Sequence, residues 1–306
     1  MFDSDTNPPV AEPLAKASSG LDSLLGKSPG WLHRVPDRRG IPSAWWGHVP
    51  FAAWLIAAAR PATLVELGTH AGVSYAAFCQ AVLAEGLDTR CHAVDTWQGD
   101  IQAGHYESVV WEEFSRFHAA RYPGFSTLHR CQFDDALTDF ADGSVDILHI
   151  DGFHSYEAVR HDFETWLPKL SPRAVVLLHD IAERQEGFGV WRFWEEVSAR
   201  YPSFAFAHSH GLGVLAVGAE APALVKQLCA LSDPADLATL RQLFATIGGG
   251  WMAEPEIARL SAIESSLTWR TASRIRRKVG RVPGLVPVLR AAAALLRWRK
   301  GHRAAA

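Results

Sequence analysis

Val65-Glu66-Leu67-Gly68-Thr69-His70-Ala71-Gly72-Val73-Ser74 ends an apolar run in a carboxylate, turns through two glycines four residues apart, and opens a helical stretch. Gly68 permits the tight turn. Gly72 reads as the place where a bulky ligand approaches the backbone at the helix start. A phosphate-binding turn fits less well, because neither G-x-G-x-x-G nor a Gly-Lys-Ser/Thr ending is present. The acidic Glu66 suits a cationic cofactor better than a pyrophosphate.

Upstream, the apolar stretch from Phe51 to Ala59 is closed by Arg60-Pro61. It is too short to span a bilayer and reads as a buried helix leading into the first strand. Downstream, β-rich runs alternate with helical ones: Thr63 to Leu67, His92 to Asp95, Ser126 to Arg130, Val145 to Asp151 and Ala174 to Asp180. Several are continuously apolar, as strands covered on both faces should be. Helical faces appear at Val159, Phe163 and Trp166, and again at Val190, Phe193, Trp194 and Val197. Two short runs, Phe204 to His208 and Leu212 to Val217, predict a closing hairpin. The fold class expected is α/β, a doubly wound, mostly parallel seven-stranded Rossmann-like sheet with an antiparallel C-terminal hairpin.

The chain has 306 residues, 48% of them hydrophobic and 21% charged, the composition of an ordinary soluble protein with a real core. Residues 1–48, rich in Pro, Ser, Gly and Asp, read as an N-terminal arm or cap, residues 49–220 as the main domain, and 221–306 as a helical, basic C-terminal extension. The net charge of −3 hides an asymmetry, since from Arg259 onward 12 Lys and Arg face one acid, Glu264. That tail suits an anionic membrane surface or an acidic partner; nucleic-acid binding lacks a motif. The N-terminus lacks the order of a secretion signal, so the expected location is cytoplasmic, with peripheral attachment at the inner face of the membrane open. Cys79, Cys91, Cys131 and Cys229 show no metal or disulfide spacing and read as small buried hydrophobes.

One βα unit after the glycine turn, His92-Ala93-Val94-Asp95 ends a second strand in a carboxylate, placed to accept the two ribose hydroxyls of an adenosine. Either signal alone is weak, because a lone Asp after a strand is more often a cap or turn former. Their order and spacing together point to an adenosine cofactor.

Four segments now carry a resemblance: Glu66 to Ser74, Asp95-Thr-Trp-Gln-Gly-Asp100, His149-Ile-Asp-Gly-Phe-His-Ser-Tyr156, and Trp166 to Pro172 continuing through His179-Asp180. Over about Leu64 to Gly218 the chain resembles class I S-adenosylmethionine-dependent methyltransferases, above all the bacterial subgroup found beside or fused to glycosyltransferases of surface-polysaccharide clusters. The predicted closing hairpin separates such a sheet from a standard dinucleotide-binding one. The resemblance implies S-adenosylmethionine as cofactor, with Glu66, Gly68, Thr69, Gly72 and Ser74 on its methionine side. It implies Asp95 on the ribose, Thr96 and Trp97 flanking the adenine, and Gln132, Phe133 and Asp134 near the adenine amino group. A sugar hydroxyl of a glycan, glycolipid or nucleotide-linked precursor is the implied acceptor, and a glycosyltransferase is a candidate partner through residues 259–306.

Methyl transfer is an in-line displacement, so the protein must align the acceptor and remove its proton. Asp151, His154, His179 and Asp180 are the candidates if the fourth and fifth strands are neighbours. Related metal-dependent enzymes hold magnesium at positions matching Asp151, His179 and Asp180, where the imidazole favours manganese or another transition ion over magnesium. Without metal, His154 or His179 is the expected base. Asp151 also borders the cofactor, and Gly152 frees the backbone beside it. His149 reads as a hydrogen-bonded core group, His161 as a surface residue, and Asp180 alternatively as a loop cap. The polar loop from Trp97 to Tyr106, with Asp100 and His105, is a candidate lid. A nicotinamide-dependent oxidoreductase and a non-catalytic scaffold module are the competing readings. The oligomeric state is left open.

Overall fold

The computed structural model describes residues 19–26, 30, 34–100, 104–105 and 108–265. Helix α1 (Ser19–Leu25), a 3-10 turn (Ala44–His48) and helix α2 (Val49–Ala59) precede strand β1 (Thr63–Leu67). Then follow α3 (Val73–Ala84), β2 (Arg90–Asp95), the two-residue strands β3 (Gly99–Asp100) and β4 (Gly104–His105), α4 (Ser108–Arg121) and β5 (Ser126–Arg130). The second half runs α5 (Phe133–Ala136), β6 (Val145–Ile150), α6 (Tyr156–Trp166), β7 (Leu170–His179), α7 (Val190–Ser198), β8 (Ser203–Phe206), β9 (Leu212–Ala216), α8 (Ala223–Cys229) and α9 (Pro234–Ser265).

Seven strands form one sheet in the order β5-β2-β1-β6-β7-β9-β8. The first five are parallel, and β9 lies antiparallel to both β7 and β8. Successive strand residues feed opposite faces. Leu64, Ile147 and Val175 join the core under α2, α3 and α8, whereas Val65, Leu148 and Val176 join the core under α6 and α7. Both faces are therefore covered, which is why the central strands read as unbroken apolar runs. The strand order reverses beside β1, so the crevice at the C-terminal ends of β1 and β6 is where a ligand site is expected.

Strand β7 begins at Leu170, before the expected Ala174, because a register shift between Val145 and Ile147 lets Leu170 pair with Val145. The larger surprise is the N-terminal segment. Trp45, Trp46 and His48, assigned to an arm on composition, are buried in the main core. Ser43 Oγ accepts the Trp45 N–H at 3.1 Å and starts the 3-10 turn, while the Trp54 indole donates to the Leu24 carbonyl at 3.0 Å. A Cβ on Gly248 of α9 would lie 2.3 Å from the Gly47 carbonyl oxygen, so that glycine is needed for the close approach of helix to turn.

One compact unit closes at Trp251 and a second begins at Met252, where α9 continues to Ser265. The rest of the basic tail, 266–306, lies outside the described residues. Among the described residues, no helix is long and apolar enough to cross a membrane.

Candidate active site

The glycine turn is held by Asp95. Its Oδ2 accepts the Thr69 and His70 backbone N–H groups, both at 2.8 Å, and its Oδ1 accepts that of Trp97 at 2.6 Å. The carboxylate that was expected to serve the ribose is thus also the clasp tying β2 to the turn. A carboxylate offers about four acceptor positions, so roughly one is left for a ligand.

Two neighbouring cavities open above the strand ends. The smaller, of about 280 Å³, is lined by Asp95, Thr96, Gly99, Gln132, Phe133, Gly152 and Phe153. The larger, of about 380 Å³, lies between the segment Pro42 to Trp45, the turn Gly68 to Ser74, and the groups Asp151, His154, His179, Asp180, Phe188 and His210. Gly68, His70, Asp151 and His154 border both.

Several expected ligand contacts lie elsewhere. Glu66 lines neither cavity: it is fully buried beneath the turn, and its Oε2 meets His149 Nδ1 at 2.8 Å. Burial raises its pKa, opposed by the hydrogen bonds of His149 and Ser74. Trp97 is also buried, because its indole donates to the His70 carbonyl at 2.8 Å and its ring packs on Trp111 and Phe114. It supports the turn from below instead of flanking an adenine. Asp134 is turned outward to His161 at 3.0 Å, an exposed pair. Gly72 lines the larger cavity and is also required by packing, since a Cβ there would lie 1.9 Å from the Phe114 ring. In the candidate lid, β3 and β4 pair as a minimal hairpin; the side chains of Asp100 and His105, and all of Tyr106, lie outside the described residues.

The acceptor-side candidates do converge. His154 Nε2 lies 2.8 Å from Asp180 Oδ2 and 3.7 Å from Asp151 Oδ1. His179 Nδ1 lies 3.3 Å from both carboxylates, and its Nε2 faces the Ser209 carbonyl at 3.1 Å. Burial disfavours charge on all four groups, yet mutual attraction prevails. His154 is raised to about 9 and His179 to about 10, while Asp180 is lowered to about 2 and Asp151 lies well below the ordinary carboxylate range. At neutral pH the cluster holds two anions and two cations. Asp151, His154 and Asp180 each offer one ligand atom within 4.8 Å of the others. His179, the imidazole expected with these carboxylates, also lies 3.3 Å from both.

Among the lining residues that the sequence did not assign to the site are Ser43, Trp45, Phe188 and His210. Trp45 and Ser43 come from the segment read as an N-terminal arm or cap. Phe188 stacks on His154 with centroids 4.9 Å apart and planes 6° apart. His210 Nδ1 lies 3.2 Å from Asp180 Oδ1, and its turn contains successive left-handed residues, Ser209 (φ 51°), His210 (φ 65°) and Gly211 (φ 89°). Left-handed backbone on side-chain-bearing residues concentrates at functional sites, but nothing in the local sequence signals it beyond His-Gly at a hairpin.

Behind the smaller cavity, α6 carries Asp162, buried beside Gly152 and Phe133. Burial raises its carboxyl to about 7. An acid raised in this way contributes stability below its unfolded pKa and loses it as pH rises through 7. Asp162→Asn is expected to stabilise the protein by on the order of 3 kcal/mol at pH 8, a gain that shrinks as pH falls toward 4. Thermal melts of both proteins across that range would show it; a pH-independent difference would contradict it.

Residues 65–181 match the family described as "Methyltransferase domain". Over those residues the chain is similar to a methyltransferase domain. A curated relative, the uncharacterized protein y4gI of Sinorhizobium fredii, is 46% identical over 238 residues, 76% of this chain. The chain spans 26% of that relative's length. Among solved structures it is similar to the O-methyltransferase TomG of Streptomyces achromogenes, involved in tomaymycin synthesis and solved with SAM (17% identity, 67% of this chain and 92% of that one, TM-score 0.44). A putative O-methyltransferase from Klebsiella pneumoniae compares similarly (18% identity, 67% and 93%, TM-score 0.43).

Proposed function

We propose that this chain transfers a methyl group from S-adenosylmethionine to a hydroxyl oxygen. The observation that carries the reading is that the two cavities share Gly68, Asp151 and His154. The adenosine belongs in the cavity of Asp95, Thr96 and Phe133, and the acceptor in that of Trp45, Phe188 and His210. The methyl group would pass at their junction, where alignment is most of the catalysis. Asp151 and Asp180 supply two anionic groups on the acceptor side, balanced by His154 and His179, and His154 keeps its proton at neutral pH while Asp180 is beside it.

The donor set of two carboxylates and an imidazole fits a divalent metal, and fits manganese better than magnesium. Asp151, His154 and Asp180 would hold it, and when bound it would polarise the acceptor oxygen and favour loss of its proton. For the acceptor we propose a sugar hydroxyl of a glycan, glycolipid or nucleotide-linked precursor. The aromatic Trp45 and Phe188 beside carboxylates and imidazoles support this, since such walls suit a ring with an apolar face and a hydroxylated edge.

Calorimetric titration of the full chain with S-adenosylmethionine, S-adenosylhomocysteine and NAD tests the donor. Binding of the first two and not the third is expected; binding of NAD alone would sink the reading in favour of an oxidoreductase.

A further inference from the structure

The glycine turn borders both cavities through His70, and His70 is strained. Its backbone lies in the left-handed region at φ 48°, which a residue with a side chain keeps only where its surroundings over-determine it. Three hydrogen bonds do so. The His70 N–H is accepted by Asp95 Oδ2 at 2.8 Å, its carbonyl accepts the Trp97 indole N–H at 2.8 Å, and the next carbonyl, that of Ala71, accepts the Arg38 Nε–H at 2.9 Å. Asp95 and Trp97 belong to the end of β2 and the loop after it. Arg38 comes from the N-terminal segment.

Arg38 is itself held in place. Its guanidinium lies over the Phe117 ring at 4.9 Å and near that of Phe114 at 5.8 Å, and Phe114 is the ring that a Cβ on Gly72 would strike. Cation–π contact with two rings of α4 restrains the side chain, so its N–H meets the Ala71 carbonyl at a small further cost in order. The same segment has other fastenings. Arg34 pairs with Glu85, just past the far end of α3, at 3.4 Å, and the Asp37 carboxylate accepts the Tyr122 hydroxyl at 3.2 Å. What Arg38 adds to these is a grip on the backbone of Ala71, a residue that lines the larger cavity. Four residues after Arg38, the stretch Pro42 to Trp45 lines that cavity too.

We infer that Arg38 is a positioning residue for the methyl donor, acting through the Ala71 carbonyl to hold His70 in its left-handed conformation. The segment that forms one wall of the acceptor cavity thereby also sets how tightly the donor is bound. The inference rests on the donor reading above, and it gives a part in donor binding to a residue outside the matched stretch 65–181. A hydrogen bond from a charged donor is stronger than one between neutral groups. Without it the Ala71 carbonyl turns to water and His70 relaxes toward ordinary backbone angles, which moves the lining at the junction of the two cavities.

Calorimetry with S-adenosylhomocysteine on the full chain tests this, with a thermal melt of each variant alongside. Arg38→Met keeps an unbranched stem over Phe117 but has no donor, and is expected to bind about tenfold more weakly. Arg34→Met breaks a bond of the same segment without touching the turn and is expected to stay within about twofold of wild type. His70→Gly supplies the readout that a merely structural role would not move, because glycine adopts positive φ without steric cost. In that background the loss from Arg38→Met should shrink to about twofold. His70→Asn, which also tolerates this region, makes the same comparison if the glycine variant does not bind. Unchanged affinity in Arg38→Met overturns the inference, as does equal weakening by Arg34→Met and Arg38→Met, or a loss that persists undiminished in the His70 background. Wild type that does not bind S-adenosylhomocysteine would instead overturn the donor reading itself.

Discussion

Gly68→Ala is expected to yield protein that neither folds stably nor binds S-adenosylhomocysteine. A Cβ at this position would lie 2.0 Å from the Asp151 carbonyl oxygen and 2.6 Å from its carbon. Those atoms are backbone at the end of β6, held by the Asp151 N–H bond to the Leu67 carbonyl at 2.8 Å, so no side-chain rotation can relieve the clash. The residue also sits at φ 86°, which L side chains rarely adopt. Separating β1 from β6 would open the centre of the sheet, a loss of more than about 4 kcal/mol. Gly124→Ala is the control: its φ is 87°, but nothing lies within 4 Å of the added carbon. That variant isolates the conformational cost, about 1–2 kcal/mol. Chemical denaturation of both separates steric from conformational terms, and similar losses in the two would refute the packing explanation.

Asp151→Asn is expected to abolish methyl transfer and to destabilise the metal-free protein by about 3 kcal/mol at pH 7. The substitution removes the anion 3.3 Å from His179, a nearly buried imidazole that is raised to about 10. An imidazole raised in this way contributes stability below its unfolded pKa and loses it as pH rises through 10; the lowered Asp151 contributes above its own unfolded pKa. The pair therefore stabilises the fold between about pH 4 and 10. The deficit of the variant should shrink above pH 10, when His179 is neutral in both proteins. Urea melts at pH 7 and 10.5 on chelator-treated protein measure this. A deficit of the same size at both values would show that Asp151 acts by shape alone.

Much of this site follows from strand ends. Glu66, Asp95, Asp151 and Asp180 each terminate or follow an apolar run, and a parallel sheet gathers such ends along one edge, so their convergence was legible from chain order. The direction of each side chain was not. Glu66 and His149 are paired in register across β1 and β6, and that pairing turns the glutamate inward. Trp97 looked like an adenine neighbour because it follows Asp95, but its indole is satisfied by the His70 carbonyl beneath the turn. Trp45 lay in a segment whose composition suggested an arm, and its partner His149 is 104 residues away.

The sequence by itself determined the doubly wound sheet, its closing hairpin and the acidic strand ends around the glycine turn. These depend on apolar periodicity and on backbone demands that act over a few residues. Only the tertiary structure decided that Asp95 clasps the turn, that Glu66 turns inward to His149, and that Trp45, Phe188 and His210 wall the larger cavity. Those outcomes depend on which distant polar groups compete for the same hydrogen bond once water is excluded, and local sequence carries no record of that competition.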